Sequence, residues 1–251
     1  MEPYVHTTIK EDRIEIEFFH PSGNSLPGES LSRLVSEIQH AEKAKPNVIL
    51  LKSGGERTFC AGASFDELTS ITNEHEGLHF FSGFANVINA MRQSPKLILT
   101  RVQGKAVGGG VGLISGSDHV VATKYASVRL SELAIGIGPF VIGPAVERKT
   151  GVSAFARMAL TPDEWQTAQW ARDHNLLQEV FEDIRQVDAY IEALIAKWNT
   201  YSPDAIRELK KVIWQGTDHW DELLKERAAI SGRLVLSQFT RDAIEAFRNK
   251  A

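Results

Sequence analysis

Apolar and polar positions alternate near the start of the chain. Ile14, Ile16 and Phe18 are separated by Glu15 and Glu17, which is the two-residue period of a strand with one buried and one exposed face. The sequence therefore predicts a half-buried strand over residues 14–18.

A helical period follows the turn expected at residues 20–24. Apolar residues recur with the spacing of one helix face at Leu31, Leu34, Val35, Ile38 and Ala41. This pattern predicts an amphipathic helix over about 27–44. The apolar run after it predicts a buried strand over residues 47–52.

The same order of elements returns further along the chain. A helix is predicted over about 76–92 and a strand over 97–102, with Pro95 between them because proline ends helices. A glycine-rich segment then leads into another helix, and residues 119–122 predict a strand. The recurring strands and helices, without a detectable sequence repeat, indicate an α/β protein.

Helices are predicted to dominate the last part of the chain. Thr161, Pro162 and Glu164 have the spacing of a capping box with proline at the first helical position, so we expect a helix to begin there. Further helices are predicted over about 186–199, 203–214, 218–236 and 241–249. A helical C-terminal part should begin near residue 190.

Composition limits the classes of function. The 251 residues are 43% hydrophobic and 24% charged, with a net charge of -4, which suits one large globular domain, with or without an appendage. This charge gives no attraction to nucleic acid or an anionic membrane, so we expect neither as a partner. The single Cys60 excludes an internal disulfide. With no secretory signal or long apolar run, we expect a cytoplasmic protein.

Two segments rich in small residues are candidates for binding through the backbone. Residues 104–113 contain three successive glycines, and Glu132 follows Gly112 by twenty residues. Glycine lets a backbone approach a ligand closely, and free N–H groups at a helix start can stabilise an anion. The pattern indicates an N–H pocket facing a carboxylate, although glycines also serve close helix packing and tight turns.

The second segment lies upstream, at residues 58–68. Its motif Phe-Cys-Ala-Gly-Ala precedes Gly-Lys-Ala-Val-Gly-Gly-Gly and then Leu-Ser-Glu-Leu-Ala-Ile-Gly-Ile-Gly-Pro. In this order the three motifs resemble the crotonase (enoyl-CoA hydratase/isomerase) superfamily, from about Ile14 to the C-terminal helices. The resemblance is specific for the superfamily and not for one reaction.

The resemblance implies a fold and an assembly. Residues 1–190 would form an α/β spiral of ββα units, and residues 191–251 a helical region that trimerises and closes the active site. A homotrimer or a dimer of trimers is therefore expected. The substrate would be an acyl-CoA thioester, and no separate cofactor is expected because coenzyme A is part of the substrate.

The resemblance also implies roles for individual residues. The N–H groups of Ala63 and Gly109 would stabilise a thioester oxyanion, and Glu132 would be the acid/base. Its apolar neighbours should raise the pKa of the Glu132 carboxyl. Further substrate-binding residues are expected at Ala61, through its carbonyl and the adenine of CoA, and at Ser64, Gly108, Gly112 and Pro139. Ser64 stands where the family often has aspartate.

Gly112 is the main departure from the family pattern. Hydratases with two catalytic glutamates have the first at this position, whereas one-glutamate members include isomerases that move a proton from C2 to C4. Gly112 therefore favours isomerisation. Hydration would need another group to hold water, for which Asp66, Glu67, Asp118 and Glu147 are candidates, so both activities stay open. A catalytically degenerate acyl-CoA-binding protein is a further alternative.

One motif indicates a different class. His75, Glu76 and His79 satisfy H-E-x-x-H, in which the histidines can bind zinc and the glutamate can act as base. Gly77 inside the motif weakens a zinc-binding helix, and no third ligand is identifiable. The zinc metallopeptidase hypothesis is therefore remote, a polar stretch near an active-site entrance is favoured, and no metal is expected.

Overall fold

A computed structural model describes residues 1–248 of the chain. The strands are β1 Tyr4–Ile9, β2 Ile14–Phe19, β3 Val48–Ser53, β4 Thr58–Cys60, β5 Leu97–Val102, β6 Lys105–Val107, β7 His119–Thr123, β8 Ser127–Arg129, β9 Gln166–Thr167 and β10 Glu179–Phe181. The helices are α1 Gly28–Ala41, α2 Phe65–Ser70, α3 Glu74–Gln93, α4 Gly109–Gly116, α5 Gly143–Leu160, α6 Ala168–Asp173, α7 Ile184–Trp198, α8 Pro203–Ile213, α9 Trp220–Leu234 and α10 Gln238–Arg248. A short 3₁₀ helix spans Glu132–Ile135.

The strands form two sheets that the chain visits in turn. The larger sheet has the order β1-β2-β3-β5-β7-β10 and the smaller β4-β6-β8-β9. Strands β3, β5 and β7 join the larger sheet, the next strand after each joins the smaller one, and one or more helices follow each pair. The predicted spiral of ββα units is thereby confirmed.

The first predicted strand is present, but its polar face is only partly open to solvent. Ile14, Ile16 and Phe18 are fully buried, and Glu15 is only 8% exposed. The carboxylate of Glu15 contacts Arg13 at 2.7 Å, and Lys10 and Lys52 also pair with it. These cations hold the pKa of Glu15 at about 2 against the opposing effect of burial.

The prediction of a helix that begins at Thr161 is wrong. Thr161 instead ends α5, where its N–H and hydroxyl both donate to the carbonyl of Arg157. The chain then turns and pairs β9 with β8, with Gln166 opposite Val128. Thr167 caps the next helix by accepting from the N–H of Trp170. The pairing of β9 with β8 therefore determines the conformation here, despite the local capping pattern. Helix α5 was not predicted from the sequence.

The C-terminal helices fold back onto the spiral. Helix α9 packs along α3, and the two backbones meet at Gly77 and Gly232, where a Cβ added to Gly77 would lie 2.6 Å from the Cα of Gly232. Helix α10 contacts the 3₁₀ helix. The predicted helix over 241–249 is present as α10, although Asn249 lies outside the described residues, as do the last three residues of the expected 191–251 region. The boundary near residue 190 stays a prediction.

Within residues 1–248, no helix combines the length and apolar character needed to cross a membrane.

Replacing Gly77 with alanine should destabilise the protein by about 1–3 kcal/mol, because the added methyl overpacks the α3–α9 contact. Thermal unfolding measures the change. Gly28→Ala is the matched control, since its Cβ would meet only Glu67 Oε2, at 3.7 Å. Equal melting temperatures for the two variants would contradict the proposed tight crossing.

Candidate active site

A largely apolar cavity of about 160 Å³ lies between the ends of the smaller sheet and the C-terminal helices. The loop after β4, the start of α4, the 3₁₀ helix and the segment up to α5 form its walls, together with residues of α2, α3 and α9. Its lining comprises Ala61, Gly62, Ala63, Phe65, Leu68, Phe80, Phe81, Phe84, Val107, Gly108, Gly109, Ser131, Glu132, Ile135, Ile137, Gly138, Pro139, Phe140, Val141, Ile142 and Ser231.

Small side chains bring the first two walls together. Gly110 packs directly on Cys60, since an added Cβ would lie 2.8 Å from the Cβ of Cys60. Burial raises the pKa of the Cys60 thiol to about 12, and its sulfur accepts from the N–H of Gly62 at 3.4 Å. The cysteine is thus a small, protonated packing residue that lets α4 approach the loop after β4.

Two backbone N–H groups on these walls are left without partners. Leu26 pairs with the residues on both sides of Ala63, donating to Gly62 O at 2.8 Å and accepting from Ser64 N at 3.3 Å. Gly109 is the first residue of α4, so its N–H has no carbonyl within that helix. In the described part of the chain neither N–H has a hydrogen-bond acceptor, and both residues line the cavity.

The carboxyl group of Glu132 lies against the backbone of Gly108. A Cβ added to Gly108 would lie 2.9 Å from Oε1 of Glu132, and Gly108 has a φ of 51°. The positive φ favours glycine here, and any other residue would also have to displace the carboxyl group. The spacing between the glycine triplet and Glu132 therefore corresponds to a direct contact in the fold.

Burial controls the ionisation of Glu132. Its Oε2 atom is buried and has no hydrogen-bond partner among the described residues. Burial raises the pKa of Glu132 to about 7, while its own backbone N–H and the charge of Arg129 act in the opposite direction. Near neutral pH this carboxyl can therefore either accept or donate a proton.

Six of the eight predicted site residues line the cavity: Ala61, Ala63, Gly108, Gly109, Glu132 and Pro139. Ser64 is instead the N-cap of α2 and accepts from the N–H of Glu67. Gly112 lies on the buried side of α4, facing Ile142. These positions do not support the substrate contacts expected of Ser64 and Gly112.

Other lining residues escaped sequence reasoning. Ile142 and Phe140 lie on the segment before α5, and Ser231 comes from α9. Nothing in the local pattern marks these residues, because only tertiary packing brings them to the cavity.

The four acidic residues considered for holding a water lie elsewhere. Glu67 accepts from the N–H of Gly28 at 2.8 Å, and Asp118 is buried in an ion pair with Lys210 at 2.8 Å. Asp66 and Glu147 are exposed. Among the described lining residues, Glu132 is the only titratable side chain.

The H-E-x-x-H segment forms the start of α3. Glu76 accepts from both the backbone N–H and the hydroxyl of Thr72, so it caps its own helix. His75 and His79 line a separate groove between α3 and α9. Over residues 1–248 no group of three or more His, Cys, Asp or Glu is placed to hold a metal. The geometry gives no support to the metallopeptidase hypothesis.

Comparisons with known proteins cover nearly the whole chain. The family model described as enoyl-CoA hydratase/isomerase matches residues 8–248. A Bacillus subtilis protein named "Probable enoyl-CoA hydratase" is 25% identical over 232 residues, which cover 92% of this chain and 90% of that protein. The crystal structure of an enoyl-CoA hydratase from Bacillus halodurans has a TM-score of 0.89 at 21% identity and covers 97% of this chain and 99% of its own.

A different activity is named for another relative. The ethylmalonyl-CoA decarboxylase of Xenopus tropicalis is 28% identical over 116 residues, which are 46% of this chain and 39% of the decarboxylase.

The buried carboxyl should make stability depend on pH. Between about pH 4.5, the ordinary pKa of glutamate, and about pH 7, the unfolded chain has lost this proton while the folded protein keeps it. Folding stability from this group is therefore lost as pH rises through that interval. The melting temperature of Glu132→Gln, relative to that of the unmodified protein, should therefore rise as the pH is raised from 5 to 8. A difference that does not change with pH would contradict the raised pKa.

Proposed function

Because this chain belongs to the enoyl-CoA hydratase/isomerase family, we propose that it binds an acyl-CoA thioester and moves a proton at the carbon beside the thioester carbonyl. The observation that carries the proposal is the position of Glu132. It is a single titratable carboxyl on an apolar wall, in contact with Gly108, beside two unpaired N–H groups.

The two N–H groups can stabilise the negative charge that this reaction develops. Removing a proton from C2 places negative charge on the thioester oxygen, and the unpaired N–H groups of Ala63 and Gly109 on the cavity walls would stabilise it. One such donor is typically worth about 2.7–4 kcal/mol in the transition state. A carboxyl whose pKa is about 7 suits proton transfer near neutral pH.

Isomerisation uses these groups without further help. Glu132 takes the C2 proton of a 3-enoyl thioester, and the C–H electrons move into a dienolate held by the two N–H groups. The protonated Glu132 then gives the proton to C4, which leaves the double bond between C2 and C3. Hydration requires a held water as well, so the joint hydratase/isomerase proposal gives isomerisation the greater weight.

Decarboxylation is a second candidate. Several relatives are named ethylmalonyl-CoA decarboxylase, and loss of CO₂ from a 2-carboxyacyl thioester yields the same kind of enolate. A protonated Glu132 could then supply the proton to C2. The raised pKa of Glu132 favours this possibility, because part of the protein carries the proton near pH 7.

Replacing Glu132 with glutamine should leave the fold intact and lower turnover at least about 10²-fold, because an amide cannot exchange the required proton. The assay follows 2-enoyl-, 3-enoyl-, 3-hydroxyacyl- and 2-carboxyacyl-CoA thioesters by product mass and retention. Asp66→Asn, at an exposed carboxylate off the cavity wall, is the control. Unchanged kcat in Glu132→Gln would remove this residue from the mechanism. Thioester binding without turnover would favour the degenerate binder.

We also propose self-association through the helical C-terminal part, as a trimer or dimer of trimers. Helix α8 supports this by exposing Leu209, Val212 and Ile213, which share one helix face at three- and four-residue spacing. Light scattering at micromolar concentration should give the mass of three or six chains. A monomer at that concentration would contradict the proposal.

A further inference from the structure

Position 112 is closed on two sides by branched apolar side chains. A Cβ added to Gly112 would lie 2.5 Å from Cγ2 and 3.1 Å from Cβ of Ile142, and 3.5 Å from Cδ1 of Ile88. Real Cβ atoms do not tolerate the first of these distances. Glycine is therefore required at this position as long as Ile142 is present.

Ile142 cannot easily give way. The clash reaches its Cβ, which is fixed to the backbone, and a β-branched side chain presents a second branch when it rotates. The residue stands at the start of α5, where its carbonyl accepts from the N–H groups of Ala145 and Val146. Moving Ile142 would therefore disturb the first turn of that helix.

Ile142 also forms part of the cavity wall that contains Glu132. Ile142 therefore stands between position 112 and the cavity. The polar side chains on the described wall are Ser131, Glu132 and Ser231. An ordered water needs about two to four polar partners, so a carboxylate entering from position 112 would change what the wall can hold.

We propose that Ile142 determines reaction specificity: it fills the space that a side chain at position 112 would need, and so keeps a second acid, and the water such an acid would hold, away from the bound thioester. The inference rests on the proposed proton transfer by Glu132. With Ile142 present, the site moves protons along the acyl chain more readily than it adds water.

The test is a set of variants at the two positions: Gly112→Glu, Ile142→Ala, the double variant Gly112→Glu/Ile142→Ala, and the matched control Gly112→Gln/Ile142→Ala. Melting temperature reports packing. Deuterium exchange at C2 in D₂O reports proton transfer. The rate at which ¹⁸O from labelled water enters 3-hydroxyacyl-CoA measures hydration. This rate, divided by the rate of double-bond migration, gives the ratio of hydration to isomerisation.

We expect Gly112→Glu alone to melt well below the unmodified protein, and Ile142→Ala to restore much of that loss in the double variant. The ratio of hydration to isomerisation should rise at least about 10-fold in the double variant, but not in the glutamine control, which has a similar volume and cannot transfer a proton.

Two results would overturn the inference alone: a stable Gly112→Glu variant whose ratio rises as much as that of the double variant, or a folded double variant that keeps C2 exchange with an unchanged ratio. Absence of C2 exchange and of turnover in the unmodified protein would instead overturn the proposed function, and the inference with it.

Discussion

The partial removal of one carboxyl group from water is the constraint on which the site depends. Glu132 lies against Gly108 in a cavity walled mainly by aromatic and aliphatic side chains. Its buried Oε2 has no hydrogen-bond partner among the described residues. Folding therefore accepts an unfavourable environment for the charged form, and the same environment gives the group a pKa near 7. The rest of the fold holds the carboxyl group in this position.

Packing between segments far apart in sequence holds the walls of the cavity together. Helix α9 reaches the cavity with Ser231 because Gly77 and Gly232 let it lie close to α3. Helix α10 contacts the 3₁₀ helix that begins at Glu132. Helices α9 and α10 thus pack against the cavity walls of their own chain.

Local pattern predicted much of the fold and of the site. The periods around Ile14 and Leu31 gave a strand and a helix that the structure contains, and the glycine triplet with Glu132 marked two walls of the cavity. Thr161 was misassigned because the pairing of β9 with β8 outweighs a capping pattern. Ile142 and Ser231 could not be found, since their role arises only from contacts between segments far apart in sequence. The contacts of Gly112 with Ile142 and Ile88 could not be predicted for the same reason.

The unpaired donors of Ala63 and Gly109 belong to the main chain, and their orientation comes from the bridge to Leu26 and from the start of α4. A point substitution can remove a carboxylate or a branched side chain, but it cannot delete a peptide N–H unless it introduces proline. The N–H donors themselves therefore survive most point substitutions, whereas the side chains at positions 132 and 142 can be exchanged, and position 112 can change once position 142 does. A lineage built on this architecture can acquire a new reaction by exchanging a few wall residues while the part that holds the oxyanion is inherited intact.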